Sequence, residues 1–162
     1  MKKTLAILLS ISGLSAFASN IYVPMGTILV GQLLNGANLK SSKVEDPAPV
    51  IMKVIFDDGK NPTEIVSKVM KQNNKTIGLA DDFPDCKVTG VAILDKAINR
   101  AKIRAENIEC VFQDGRTFNG DLHGYFIDYS DQKAGIIVEN HELTTGKKVI
   151  VVTSSPSSYQ IK

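Results

Sequence analysis

The sequence has no tryptophan, only two cysteines and only 6% aromatic residues among its 162 positions. Two cysteines are too few for a disulfide-dense miniprotein or for a zinc site with four thiolate ligands. The six prolines and twelve glycines are spread along the chain, which excludes a collagen-like or proline-rich linker composition. With 43% hydrophobic and 22% charged residues, the chain is predicted to form one globular domain.

A strong charge of either sign is also lacking. Nineteen basic and seventeen acidic residues give a formal net charge of +2. Non-specific binding to nucleic acid needs a strongly basic surface. We therefore expect no direct nucleic acid binding.

Residues 1–18 have the pattern of a cleavable signal peptide. Met1-Lys2-Lys3 is positive, residues 5–14 are mainly apolar, and Ala16-Phe17-Ala18 provides small residues before cleavage ahead of Ser19. The apolar stretch is about ten residues long, whereas a helix needs about twenty to cross a bilayer. A retained membrane anchor is therefore the weaker interpretation. We predict a periplasmic chain with no membrane-spanning segment after cleavage and a net charge near zero.

Export would bring both cysteines into an oxidising compartment. We therefore predict a disulfide between Cys86 and Cys110. Closing a loop of about 25 residues contributes about 3 kcal/mol through the unfolded state. Two buried free thiols remain the alternative.

Short apolar runs and period-two alternation, separated by turn signals, dominate the rest of the sequence. They predict an all-β fold, a closed or partly closed barrel or sandwich of about seven to eight strands. Residues 19–153 form this domain, and 154–162 are expected to be a flexible tail. One short inserted helix is predicted after Asn61-Pro62-Thr63-Glu64. A shift of the apolar phase near Asn107 predicts a bulge, and Gly120 and Gly124 on the inward face leave room for a close neighbouring chain.

Catalytic motifs are missing from the sequence, which contains no glycine-rich phosphate loop, CxxC pair, HExxH or GxSxG. We expect no enzyme activity, no cofactor and no metal site. His123 is a candidate site residue with Asp121 and Asp128, but a solvated imidazole on a polar strand face is the stronger interpretation. His141 is expected to be exposed in a loop. The pairs Asp57-Asp58 and Asp81-Asp82 lack the spacing of a calcium loop.

Several segments, taken in order, resemble the TraB family of conjugation proteins, related to TrbI-type barrels of type IV secretion systems. The resemblance covers roughly residues 22–139. Its segments are Pro24-Met25-Gly26-Thr27, Leu33-Leu34-Asn35-Gly36, Ala48-Pro49-Val50, Asp85-Cys86, Arg100-Ala101-Lys102-Ile103-Arg104, Ile108-Glu109-Cys110, Asp114-Gly115-Arg116, Gly124-Tyr125-Phe126-Ile127-Asp128 and Gly135-Ile136-Ile137-Val138.

The resemblance implies a barrel that packs with sister subunits and other core subunits into a ring at the outer membrane. The family's inner-membrane helix, periplasmic arm and membrane-crossing helical hairpin have no counterpart in this sequence. Asn99 and Val138 also depart from the family pattern, and residues 57–76 resemble an insertion. The sequence therefore predicts a barrel-only structural subunit of a conjugation or type IV secretion core complex.

Two surfaces are predicted to contact partners, the strand region from Tyr22 to Leu34 and the polar face of the later strands. On the polar face, a surface ladder of paired charges is the alternative to an interaction site. A different function, an exported barrel that binds a small ligand or peptide in its mouth, would need a cavity lined by Phe118, Leu122 and Phe126. The predicted partner-binding residues are Tyr22, Ile28, Val30, Lys102, Arg104 and Arg116.

Overall fold

The fold is taken from a computed structural model of the chain, which describes residues 20–55 and 84–162. The predicted signal peptide and the predicted inserted helix lie outside these residues, as do Asp57-Asp58 and Asp81-Asp82. The described part is all-β and contains no helix. Its strands are β1 Asn20–Val23, β2 Ile28–Leu33, β3 Ala37–Asn38, β4 Ala48–Val54, β5 Asp85–Asp95, β6 Arg100–Val111, β7 Thr117–Asp128, β8 Ile136–Ile137, β9 Glu142–Leu143, β10 Lys148–Thr153 and β11 Ser157–Gln160.

Six of the strands close into an antiparallel barrel. Their order is β5-β4-β2-β10-β7-β6, and β6 pairs back onto β5 to complete the ring. The seventh strand of this sheet, β8, pairs with the beginning of β6 through Arg100↔Ile137 and Ala101↔Ile136. Two small sheets, β1-β11 and β3-β9, lie outside the ring order. The predicted barrel is confirmed, and its closure leaves no open sheet edge among the six strands.

Alternating apolar side chains fill the interior of the barrel. On β4, for example, Val50, Met52 and Val54 are buried while Lys53 is exposed. The same alternation puts Leu122 and Phe126 of β7 into one continuous core cluster. A barrel of so few strands encloses a space that side chains can fill.

The strands bend where small residues or bulges permit it. The register of β6 against β7 shifts between Ala105 and Asn107, which confirms the predicted bulge. At Gly124 an added Cβ would lie 2.6 Å from the Val152 carbonyl oxygen, and at Gly90 it would lie 2.4 Å from that of Arg104. Only glycine fits at such distances, so the predicted close approach at Gly124 is confirmed.

The end of the chain is ordered rather than a flexible tail. Strand β11 pairs with β1 over four residue pairs, and Tyr159 and Ile161 are buried. The backbone of Lys162 exchanges hydrogen bonds of 2.9 and 3.0 Å with that of Thr117. The expectation was wrong because serine-rich composition was weighed above the alternation of Tyr159 and Ile161 with polar residues.

Candidate functional site

The predicted disulfide is present between β5 and β6. Cys86 and Cys110 lie directly opposite each other in the register, with their Cα atoms 4.1 Å apart. Both side chains are buried in the core cluster. Residues directly opposite each other on antiparallel strands bring their side chains close enough to be bridged. The alternative of two free thiols is therefore wrong.

A cluster of three aromatic side chains lies next to the disulfide end of the barrel. The ring centroids of Phe112 and Phe118 are 5.9 Å apart, and those of Phe118 and Tyr159 are 5.5 Å apart. The Tyr159 hydroxyl donates a 2.8 Å hydrogen bond to the Asp121 carbonyl, and burial raises the pKa of Tyr159. Its ring covers Gly120, where a Cβ would lie 2.9 Å from it. Tyr159 thus anchors the C-terminal segment on the barrel.

The opposite end of β7 carries a buried carboxylate. Asp128 accepts hydrogen bonds from the Ser130 N–H at 2.9 Å, the Ser130 hydroxyl at 2.5 Å and the Ile137 N–H at 2.9 Å. The Lys147 ammonium lies 3.2 Å from the Asp128 carboxylate and donates to the Ile137 carbonyl at 2.7 Å. Burial alone would raise the pKa of Asp128, but these donors outweigh it and lower the pKa to about 2.

A second buried charge holds the turn between β7 and β8. The Arg100 guanidinium is largely buried, donates to the Gly135 carbonyl at 2.9 Å and pairs with the Asp131 carboxylate. Gly135 has a φ of 77°, a conformation that glycine adopts without strain. Arg100 and Asp128 together tie this turn to the barrel. Sequence reasoning did not single out either role, although the inward alternation of β7 continues to Asp128.

The predicted partner-binding residues do not form one surface. Tyr22 is 46% exposed and Ile28 is half-buried, but Val30 is only 4% exposed. Val30 therefore offers no accessible side chain in the isolated chain. Lys102 and Arg104 lie together on the outer face of β6, whereas Arg116 lies in the turn beyond the other end of that strand.

The three predicted cations are all paired with neighbouring acids. Lys102 lies 2.7 Å from Asp95, and the hydrogen bond between them lowers the pKa of Asp95. Arg104 lies 2.6 Å from Glu106. Arg116 pairs with Asp114 at 2.5 Å and also lies over an aromatic ring. The charge-ladder interpretation describes these pairs well, and their exposure makes each pair weak.

A groove on the outer wall was missed by the sequence analysis. It has a volume of about 390 Å³ and lies over β5, β6 and β7. Its apolar lining includes Val91, Ile93 and Tyr125 from the strands and Val44 and Pro47 from the loop before β4. The register explains part of this lining, because Val91, Arg104 and Tyr125 are cross-strand neighbours in one row. Such a row depends on strand pairing, so no local sequence signal could have found it.

The histidines do not assemble a reactive site. His123 and Asp121 are exposed on the outer face of β7, whereas Asp128 is buried. The structure therefore separates Asp128 from the other two residues of the group that the sequence suggested. His141 is exposed in the tight turn between Glu139 and Glu142. Within residues 20–55 and 84–162, no group of three or more His, Cys, Asp and Glu side chains is placed to hold a metal ion.

Comparison with known proteins adds no relative. No protein-family model matches the chain, and no curated protein matches its sequence. In the described part of the chain, no helix has the length and apolar character needed to span a membrane. The fold and its contacts are therefore the basis for any functional conclusion.

Proposed function

We propose that the chain is an exported structural subunit that works by assembling with partner proteins. The observation that carries this proposal is the filled interior of the barrel. Phe118, Leu122 and Phe126 are at most 3% exposed and belong to the core cluster, so they do not line an open mouth. Because packed side chains fill the interior, the outer surface of the barrel is the part available to contact partner proteins. The small-ligand alternative is disfavoured for the same reason.

In its specific form, the proposal is a barrel-only TraB-like subunit of a conjugation or type IV secretion core complex. It would act in the periplasm within an outer-membrane ring that includes further copies of the chain. Several of the segments that resemble the family lie on neighbouring strands of the barrel. Cys86 lies in β5, the Arg100–Arg104 and Ile108–Cys110 segments lie in β6, the Gly124–Asp128 segment lies in β7, and Asp114–Arg116 lies in the turn between β6 and β7. A barrel is the domain that the resemblance implies.

The disulfide supports the exported location. Cross-strand disulfides form and persist in oxidising compartments and are rare in the bacterial cytosol. The pair Cys86–Cys110 is buried and follows a sequence whose beginning has the signal-peptide pattern.

The turn after β8 defines how this subunit would differ from the family. Glu139 and Glu142 pair across the residues Asn140 and His141, which both have positive φ. This is the backbone of a tight two-residue hairpin. Strand β9 follows it at once and pairs with β3. The resemblance places the family's helical hairpin between the β8 segment and the last long strand, where this chain has a tight turn, so we expect the subunit to act through contacts of the barrel wall.

The test is isolation of the assembly from the producing cells. We expect an affinity-tagged full chain to be recovered oxidised and processed near residue 18, in an envelope complex containing secretion-apparatus proteins. A variant without residues 1–18 is the matched control and is expected to stay reduced and unassembled. Recovery of the processed wild-type chain only as a monomer, with no secretion protein bound, would contradict the proposal.

A further inference from the structure

The groove on the outer wall lies at a seam where β6 changes its partner. Pairing of β6 with β7 ends at Arg104↔Tyr125, and pairing with β8 begins at Ala101↔Ile136. Within the described part of the chain, Lys102 and Ile103 therefore have no registered strand partner on this side. Both residues line the groove. On the other side both residues pair with β5, and Ile103 is only 3% exposed, so the seam is a change of strand partner and the barrel stays closed.

Apolar groups around the seam are more accessible than a folded core requires. Val44 is 77% exposed and Tyr125 is 45% exposed, and both line the groove with Pro47, Val91 and Ile93. Large apolar side chains that converge in one concave place mark a binding surface more strongly than scattered ones do. Tyrosine and arginine are also the residues that most often anchor protein interfaces.

The charge at the groove is positive. Its described lining contains Lys102 and Arg104 and no acidic residue. The partners of these cations, Asp95 and Glu106, lie outside the lining. The Lys102 and Arg104 side chains are 62% and 72% exposed, so their ion pairs are weak. An ammonium has three donors and a guanidinium five, so both cations have donors available for a further carboxylate.

We propose that this groove binds a short extended segment of a partner protein in which apolar side chains alternate with Asp or Glu. The apolar side chains pack around Tyr125, and the carboxylates meet Lys102 and Arg104. This inference rests on the proposed function, because it names the contact by which the subunit would meet a partner. Lys102 and Arg104 are alternate residues on one face of β6, so their charges repeat at the spacing of alternate side chains in an extended peptide, which favours a peptide over an anionic amphiphile with a single charged head.

The test is selection of short random peptides displayed on phage against the oxidised, exported protein. We expect the enriched peptides to combine apolar residues with Asp or Glu. A fluorescent synthetic copy of the best peptide is then titrated against wild type and against variants. Arg104→Glu and Tyr125→Ala are each expected to weaken its binding about tenfold or more.

Lys87→Glu is the matched control. Lys87 is an exposed lysine of β5 that faces Glu109 outside the groove, so its reversal makes the same kind of charge change and should leave the affinity unchanged. Thermal unfolding of each variant separates lost binding from lost fold. Failure to enrich any peptide, enrichment of basic peptides, or equal binding to wild type and Arg104→Glu would overturn the inference. Saturable binding of oleate without peptide binding would overturn it in favour of an amphiphile.

The groove contact and the proposed assembly role can fail independently of each other. Recovery of the chain in a secretion complex that tolerates both Arg104→Glu and Tyr125→Ala, with no peptide selected, would remove the groove contact and leave the assembly role intact. Selective peptide binding by a chain that is never found in an envelope complex would support the groove and contradict the assembly role.

Discussion

The two ends of strand β6 are secured by different chemistry. At the disulfide end, which comprises Cys86, Cys110, Phe112, Phe118 and Tyr159, a covalent bond and packed aromatic rings hold the structure together.

At the charged end, which comprises Arg100, Asp128, Asp131, Lys147 and the backbone of Gly135–Ile137, ion pairs and hydrogen bonds made by the buried Arg100 and Asp128 do so. The first set of contacts is indifferent to acid but depends on oxidation. The second set is indifferent to reductants but depends on ionisation. The comparison teaches that one barrel responds to two separate conditions at two separate places.

Removing the buried carboxylate should produce the largest effect. Asp128→Ala leaves the Ile137 N–H, the Ser130 donors and the Lys147 charge without their acceptor, and we expect a loss of about 3–5 kcal/mol. Urea unfolding of the oxidised protein measures it. Asp128→Asn is the control, since it keeps the shape and one acceptor and should lose less. A loss below about 1 kcal/mol for Asp128→Ala would mean that the charged end does not depend on this group.

Breaking the disulfide is expected to have the next largest effect. The bond joins residues separated by 24 positions, and Cys86→Ala combined with Cys110→Ala should lower the free energy of unfolding by about 3 kcal/mol. Reduction of the wild-type protein should give a similar loss. Hydrogen exchange at Ile137 in the reduced protein should keep its protection relative to the rest of the barrel. Equal stability of oxidised and reduced protein would contradict the prediction.

Acid should act on the charged end. The Asp128 pKa falls from 3.8 to about 2 on folding, so its contribution is fully present above the unfolded value and is lost as the pH falls from about 4 towards 2. The shift corresponds to about 2 kcal/mol. The quantity to measure is the stability difference between wild type and Asp128→Asn across this pH window, because other carboxyls titrate equally in both. A pH-independent difference would count against the assignment.

The smallest effect is expected from the Tyr159 hydroxyl. Tyr159→Phe keeps the ring packing but removes the hydrogen bond to the Asp121 carbonyl, and we expect a loss of about 1 kcal/mol. Tyr22→Phe is the matched control, because Tyr22 is exposed on β1, and it should leave the stability unchanged. Equal unfolding midpoints for the two variants would show that packing alone holds the disulfide end.

Prediction from sequence succeeded where the signal was local. The long strands β6 and β7 alternate over many residues, so their faces and the bulge near Asn107 followed directly. The disulfide followed from export and from the presence of only two cysteines. The two-residue strands β3 and β9 are too short for a period and were not predicted, and the serine- and proline-rich composition around β11 led us to expect a flexible tail.

The candidate site was less accessible to prediction because it depends on register. Lys102 and Arg104 were singled out correctly as surface residues of one face. Tyr125 joins them because it pairs with Arg104 across β6 and β7, and Val44 and Pro47 join them from the loop before β4. Asp128 was grouped with His123 by proximity in sequence, although the two-residue period assigns them to opposite faces.

The position of β10 between β2 and β7 has a consequence for how the chain emerges during synthesis and translocation. The ring cannot close before Lys148–Thr153 is present, because until then β2 and β7 each have one edge without a partner strand. The Thr27 N–H donates a hydrogen bond to the hydroxyl of Thr153, which lies 126 positions later in the sequence. Pairings this distant in sequence slow folding. A ribosome or translocon that halts earlier leaves a curved sheet open to strand exchange, and the arrival of β10 completes the ring.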